Sequence, residues 1–189
     1  MLYLASQSPR RRQLLEQLGL NFAVLDVDVP EQREPGEPAA DYVSRVAREK
    51  AGAGLLQVAG VPGAVVLGAD TEVVLDGDVF GKPADAAAAA AMLQRLQGRS
   101  HTVISRVWLV SAGREEQAQS DSDVHFAPMD EAAIARYVAS GEPYGRAGAY
   151  AIQGLAAAHI RHLNGSYTGV MGLPLFETAQ LLRHFGLLA

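Results

Sequence analysis

One stretch constrains this chain more than any other. It runs Val65-Val66-Leu67-Gly68-Ala69-Asp70-Thr71-Glu72-Val73-Val74-Leu75, then Asp76-Gly77, then Asp78-Val79-Phe80-Gly81-Lys82-Pro83. Its outer parts are apolar and β-branched, which predicts a buried strand. Asp76-Gly77 predicts a hairpin, because both central residues of a type I′ turn need positive φ. Asp70 lies in the middle of the apolar run. An ionised carboxylate buried without a partner is prohibitively costly, so Asp70 is paired, metal-bound or at a cleft. Gly68 and Ala69 leave room for a ligand to approach the backbone. Taken alone, the stretch is equally compatible with an aspartate that bonds a neighbouring loop and does no chemistry.

The 189 residues suit one domain spanning 1–189. With 49% apolar and 20% charged residues, the chain can build a sizeable core. No apolar run approaches the ~20 residues of a membrane span. Met1 to Ala5 is too short for the apolar region of a signal peptide, so a cytoplasmic protein is expected. The absence of cysteine excludes disulfides, thiolate catalysis and cysteine–zinc sites. A net charge of −5 argues against generic nucleic-acid binding. An anionic ligand would need a local cluster of positive charge. Of the 16 basic residues only Lys50 and Lys82 are lysines, so each asks for its own explanation. Neither a Walker A sequence nor G-x-G-x-x-G, H-E-x-x-H or G-x-S-x-G occurs.

Leu2 to Ala5 predicts a short buried strand. Ser8 as N-cap and Pro9 in the first turn open a helix that Gly19 stops. Arg10, Arg11 and Arg12 crowd its first turn against the helix dipole. Arg12 can pair with Glu16 at i,i+4. Arg10 and Arg11 project from the end of the core-facing side, where free backbone N–H groups would complete an anion site. Three solvated arginines are the alternative. A second strand is expected at Asn21–Val27, then a proline-rich loop, then a helix from about Ala39 to Val58. Lys50 falls on that helix's apolar face, where it either snorkels to the rim or points at a ligand. A helix over Asp85–Gln97, strands over Thr102–Val110 and onward to Phe126, and a helix capped by Asp130 follow, with Trp108 a core residue. The stretch Glu142–Gly154, rich in glycine and small residues, suits a ligand wall or a tight turn. A strand over Ala157–Leu163 ends at Asn164-Gly165, and Gly172-Leu173-Pro174 leads into a last helix.

Six motifs, in order and spanning nearly the whole chain, resemble the Maf family of nucleoside triphosphate pyrophosphatases. They are Leu4-Ala5-Ser6-Gln7-Ser8-Pro9-Arg10-Arg11, Arg48-Glu49-Lys50-Ala51, Gly68-Ala69-Asp70-Thr71, Gly81-Lys82-Pro83, Ala147-Gly148-Ala149-Tyr150 and Gly172-Leu173-Pro174. The resemblance implies an α/β fold of the Maf and inosine-triphosphatase type, a long mixed sheet flanked by helices with a cleft between two lobes. It implies hydrolysis of a nucleoside triphosphate to the monophosphate and pyrophosphate, aided by a divalent cation, Mg²⁺ or Mn²⁺. Asp70 matches the family's proton acceptor, and Glu31 matches an acidic loop position associated with the metal. Arg10, Arg11, Lys50 and Lys82 match phosphate-handling positions, and Ser6 and Ser8, in the motif that holds the two arginines, are expected to bind substrate. Arg10, Thr71 and Gln153 match positions linked to substrate choice. Ile152-Gln153-Gly154 is similar to the branch acting on dTTP and UTP, whereas the 7-methyl-GTP branch typically has Glu there.

A homodimer is a family-level expectation, and the family name is tied to inhibition of septum formation. The chain departs from the pattern at Gly145-Arg146, at Glu72 and at Gly169, which bears on fine specificity. A nucleotide-sensing regulator without catalysis and a nucleotidyltransferase are the competing classes.

Overall fold

The structure, a computed structural model, describes residues 1–189. In chain order the elements are β1 (Leu2–Ala5), α1 (Pro9–Glu16), β2 (Phe22–Leu25), α2 (Ala39–Gln57), β3 (Val65–Leu75), β4 (Asp78–Phe80), α3 (Ala86–Leu96), β5 (Ser100–Ser111), β6 (Arg114–Phe126), α4 (Glu131–Ala139), β7 (Ile160–Asn164), α5 (Tyr167–Met171) and α6 (Leu175–His184). They form a mixed α/β fold on a seven-stranded sheet of order β2-β1-β3-β5-β6-β7, with β4 added to β3. β1 runs parallel to β2 and β3, and every other pairing is antiparallel.

β3 is the axis. Its alternating side chains serve two faces, as strand geometry requires. Leu67 and Ala69 join the cluster that packs under α1 and α6. Gly68 faces α2 so closely that a Cβ there would lie 2.3 Å from the Ala47 carbonyl oxygen. The missing side chain therefore seats α2 on β3, and α2 brings Lys50 over the same face. The turn after β3 is built as the sequence predicts: Asp76 and Gly77 have φ of 54° and 83°.

The sheet has an opening beside β3. β1 pairs with it only from Val65 to Leu67, and β4 begins pairing at Val73. Between them, on that edge, Gly68 to Glu72 have no strand neighbour. On the other edge β5 pairs without interruption from Val65 to Val74. The strand is thus held rigid from one side and left free on the other.

Two expectations are corrected, and one short helix is added. The strand expected at Ala157–Leu163 starts later, because Leu155–His159 forms a 3₁₀ turn. The Glu142 carboxylate accepts the N–H groups of Leu155 and Ala156 at 2.9 and 3.3 Å, which stabilises that turn from a distant loop. His159 and His162 therefore do not share one strand. Trp108 is half-buried rather than core: its Nε1 donates to Ser44 Oγ at 3.0 Å, and the Arg48 guanidinium lies 5.4 Å from its ring centre. The short helix α5, capped by Ser166, was not expected. No helix is long and apolar enough to cross a membrane.

His101 stabilises the second core cluster in a pH-dependent way. It meets Phe126 and Tyr150 edge-on at 5.2 and 5.4 Å, with Nε2 2.8 Å from the Tyr150 hydroxyl. Burial pushes the imidazole down from 6.5 to about 4, so the fold holds it neutral. The unfolded chain takes up a proton first as pH falls. The stability is complete above pH 6.5 and declines toward about pH 4. At about 1.4 kcal/mol per pH unit the loss is on the order of 3 kcal/mol. Urea unfolding at pH 7 and pH 4.5 should show a shallower pH dependence for His101→Gln than for the wild type. Equal slopes would contradict this account.

Candidate active site

The opening beside β3 leads into a cavity of about 430 Å³. That size suits a small ligand. All ten residues singled out in the sequence line it: Ser6, Ser8, Arg10, Arg11, Glu31, Lys50, Asp70, Thr71, Lys82 and Gln153. Because β3 is uncovered here, residues from both its faces reach one space.

One wall is carboxylates and lysines. The Lys50 ammonium donates to Asp70 Oδ1 at 2.8 Å and lies 2.6 Å from Glu31 Oε1. Lys82 donates to Glu31 Oε2 at 2.8 Å. Lys50 therefore points at the site, and the snorkelling alternative falls away. Glu31 experiences two opposed effects. Burial raises it, but the hydrogen bonds from Lys50 and Lys82 together outweigh that and hold it down at about 2. Asp70 and Glu72 are alternate residues of β3, so both project toward α2. Glu72 has no lysine of its own. Burial, then the charges of Asp70 and Glu31, push it up to about 8. Asp70 Oδ2 and Glu72 Oε2 are both buried without a hydrogen-bond partner.

The opposite wall is cationic. Ser8 caps α1 by accepting the Arg11 N–H at 3.4 Å, and Ser6 Oγ accepts the Ser8 N–H at 3.2 Å. These bonds fix the turn that presents both arginines. Arg11 donates to the Gly172 carbonyl at 2.8 Å and to Thr71 Oγ1 at 3.4 Å. Thr71 in turn bonds Ser105 Oγ at 2.8 Å, whose own proton goes to the Gly169 carbonyl. Burial, then Arg146 and Arg11, lower Arg10 to about 10. Arg146 is anchored by its Nε to the Glu142 carbonyl at 2.7 Å, and its Nη1 is buried without a partner. Guanidinium groups that repel one another and have no carboxylate hydrogen-bonded to them define a place for an anion.

Two members of this site, Arg146 and Glu72, stand in the sequence only as departures from the motifs. Arg146 lies in the small-residue stretch that suits a ligand wall. For Glu72, the spacing from Asp70 was the signal available. Gln153 is exposed at the rim. No three His, Asp or Glu side chains already converge on one point.

An uncovered strand edge, unpaired guanidiniums and a lysine-bridged carboxylate pair together suit an α/β protein that handles a phosphorylated ligand. The chain belongs to the Maf family: the family model described as "Maf-like protein" matches residues 1–185. It is 58% identical over 188 residues to a dTTP/UTP pyrophosphatase of Xanthomonas euvesicatoria, covering 98% of this chain and 99% of that one. It is 57% identical to a nucleoside triphosphate pyrophosphatase of Xylella fastidiosa, with 98% of each chain covered. A dTTP/UTP pyrophosphatase of Aromatoleum aromaticum is 52% identical over 196 residues, 98% of this chain and 95% of that one. Among solved structures, the Staphylococcus aureus Ham1 protein aligns with a TM-score of 0.45 at 14% identity, over 67% of this chain and 71% of that one.

The two lysines should separate stability from function. Lys50 is 10% exposed and Lys82 is 59% exposed. Lys50→Met strands the Asp70 carboxylate in the core and should cost about 3–5 kcal/mol in chemical denaturation. Lys82→Ala breaks an exposed pair and should cost less than about 1 kcal/mol. Equal destabilisation by the two substitutions would refute the assignment of Lys50 as the structural partner of Asp70.

Proposed function

We propose that this protein is a nucleoside triphosphate pyrophosphatase that hydrolyses dTTP and UTP to the nucleoside monophosphate and pyrophosphate. The observation that carries the reading is the cavity's division: a carboxylate with one free buried oxygen, bonded to Lys50 and, through Glu31, linked to Lys82, facing three guanidiniums. The names carried by relatives more than half identical to this chain support the same substrates.

The residues then have these roles. Arg10, Arg11 and Arg146 bind the polyphosphate, whose charge neutralisation is the main catalytic task in phosphoryl transfer. Lys50 and Lys82 lie beside the carboxylates and move onto phosphate oxygens as these enter. Asp70 orients a water molecule with Oδ2 and takes its proton as the water oxygen attacks the α-phosphorus. The bond from that phosphorus to the α,β-bridging oxygen breaks, and pyrophosphate leaves with the bridging oxygen. Thr71, held by Ser105 and Arg11, fixes the strand against the substrate. Gln153 at the rim offers both a donor and an acceptor, as the edge of uracil or thymine requires.

A divalent cation fits these residues. The available donors are hard carboxylate oxygens, and Asp70 Oδ2 lacks a partner in the protein. Asp70 is placed to hold Mg²⁺ or Mn²⁺, whereas Glu31, the other acidic position expected there, would join it only by releasing one of the lysines that occupy both its oxygens. When bound, the cation neutralises phosphate charge.

Pyrophosphate release from a panel of canonical and modified nucleoside triphosphates tests the reading. dTTP and UTP should outrun 7-methyl-GTP, and Gln153→Glu should erode that preference. A wild-type preference for 7-methyl-GTP would overturn the branch assignment. Failure of every triphosphate would favour a sensing role.

Two further measurements address mechanism. In ¹⁸O-water the label should enter the monophosphate and be absent from pyrophosphate. Asp70→Asn should lower turnover by ~10²–10⁴-fold. Label in pyrophosphate would place the attack at the β-phosphorus, and undiminished turnover of a folded Asp70→Asn protein would remove Asp70 from the chemistry.

A further inference from the structure

We propose that Glu72 is a metal-holding residue, and that it and Asp70 together form the protein's share of the divalent-cation site. The inference rests on the reading above, that a cation works in this cavity, and assigns a residue which that reading leaves without a role.

Three carboxylates line the cavity, and they are not equivalent. Glu31 has both oxygens engaged, Oε1 by Lys50 and Oε2 by Lys82. Asp70 has one oxygen on Lys50 and one free. Glu72 has a buried Oε2 with no partner. Asp70 and Glu72 are only 5% and 8% exposed, so water does not readily satisfy them. The two free buried carboxylate oxygens therefore belong to alternate residues of one rigid strand, on one face of it. They are not supplied by the loop residue Glu31.

Charge leads to the same pair. Lys50 and Lys82 balance two of the three carboxylates. The third, Glu72, has no cationic partner, and a bound cation would hold it in its charged form. Arg11 is committed on the opposite face of β3 to Gly172 and Thr71, and Arg95 is held by Asp78. Two carboxylates are also the right number. Mg²⁺ characteristically takes one or two protein carboxylates and completes its octahedron with water and substrate phosphates. This is consistent with the lack of any three acidic or imidazole groups converging on one point. The rigidity of β3, paired throughout by β5 on its far edge, fixes the two donors before the ligand arrives.

The test uses the full chain without nucleotide and Mn²⁺ as the probe, read by electron paramagnetic resonance. Glu72→Gln keeps the shape and Glu72→Val keeps a strand-forming residue, so one folding failure does not end the experiment. Both should weaken Mn²⁺ binding by at least about tenfold. Line broadening in ¹⁷O-enriched water counts the water molecules on the bound ion, and that count should rise in Glu72→Val. Unchanged affinity, an unchanged water count, or a wild-type protein that binds no Mn²⁺ would each overturn the assignment. Pyrophosphate release from dTTP by the wild-type protein is measured separately. Its failure would strike the proposed activity, and the Mn²⁺ titration would still decide the role of Glu72.

Discussion

The buried contact between Lys50 and Asp70 is the interaction on which the rest depends. Two charges have been taken out of water, and their attraction only offsets that loss when the geometry is tight. Here the geometry is secured at both ends. Gly68 allows α2 to touch β3, which sets the height of Lys50 above Asp70. The uninterrupted pairing of β3 with β5 sets the position of Asp70. Replacing a buried ion pair by apolar residues of similar volume is often neutral or stabilising. The charged pair instead leaves a carboxylate with one oxygen committed and one oxygen free, which is a chemical capability. Through Glu31 and Lys82 the same pair extends to the loop before α2 and to the segment after β4, so four separate parts of the chain meet at one cluster.

Sequence neighbours on a strand normally serve opposite faces and have no common business. The opening in the sheet changes this for Asp70 and Thr71. Asp70 belongs to the α2 face with Lys50. Thr71 belongs to the other face, tied to Arg11, Ser105 and the Gly172 carbonyl. Where no strand covers the edge, a ligand can lie along it and meet both. The cavity's separation into a carboxylate wall and a guanidinium wall follows from the period of the β-strand and the short length of β1 and β4.

Much of this could be read from the residues because local chemistry decides it. The turn at Asp76-Gly77, the caps at Ser8 and Asp130, and the scarcity of lysine each state a requirement that only a few structures meet. What could not be read depends on partners far away in the chain. Leu155 and Ala156 sit in a 3₁₀ turn because Glu142 accepts their amides. Trp108 stays half-buried because Ser44 and Arg48 hold it at the edge of α2. Arg146 joins the cationic wall because a loop folds back; its small-residue surroundings hint at a ligand wall but do not show that its side chain turns into the cavity. For Glu72 the strand register was legible. Its lack of any partner was not, since that required knowing where both lysines go.

The uncovered edge of β3 has a further consequence. An exposed strand edge is a template on which a foreign strand can add, and apolar sequences make that hazard greatest. Here the uncovered segment is Gly68-Ala69-Asp70-Thr71-Glu72, whereas the apolar, β-branched parts of the same strand are covered by β1 and β4. Glycine, alanine and acidic residues are poor strand formers, and two carboxylates on one face repel an incoming chain. The composition that gives the opening its chemistry also makes it a poor template for a foreign strand, and the burial of Ala69, Asp70 and Glu72 behind the cavity walls adds to that protection against self-association.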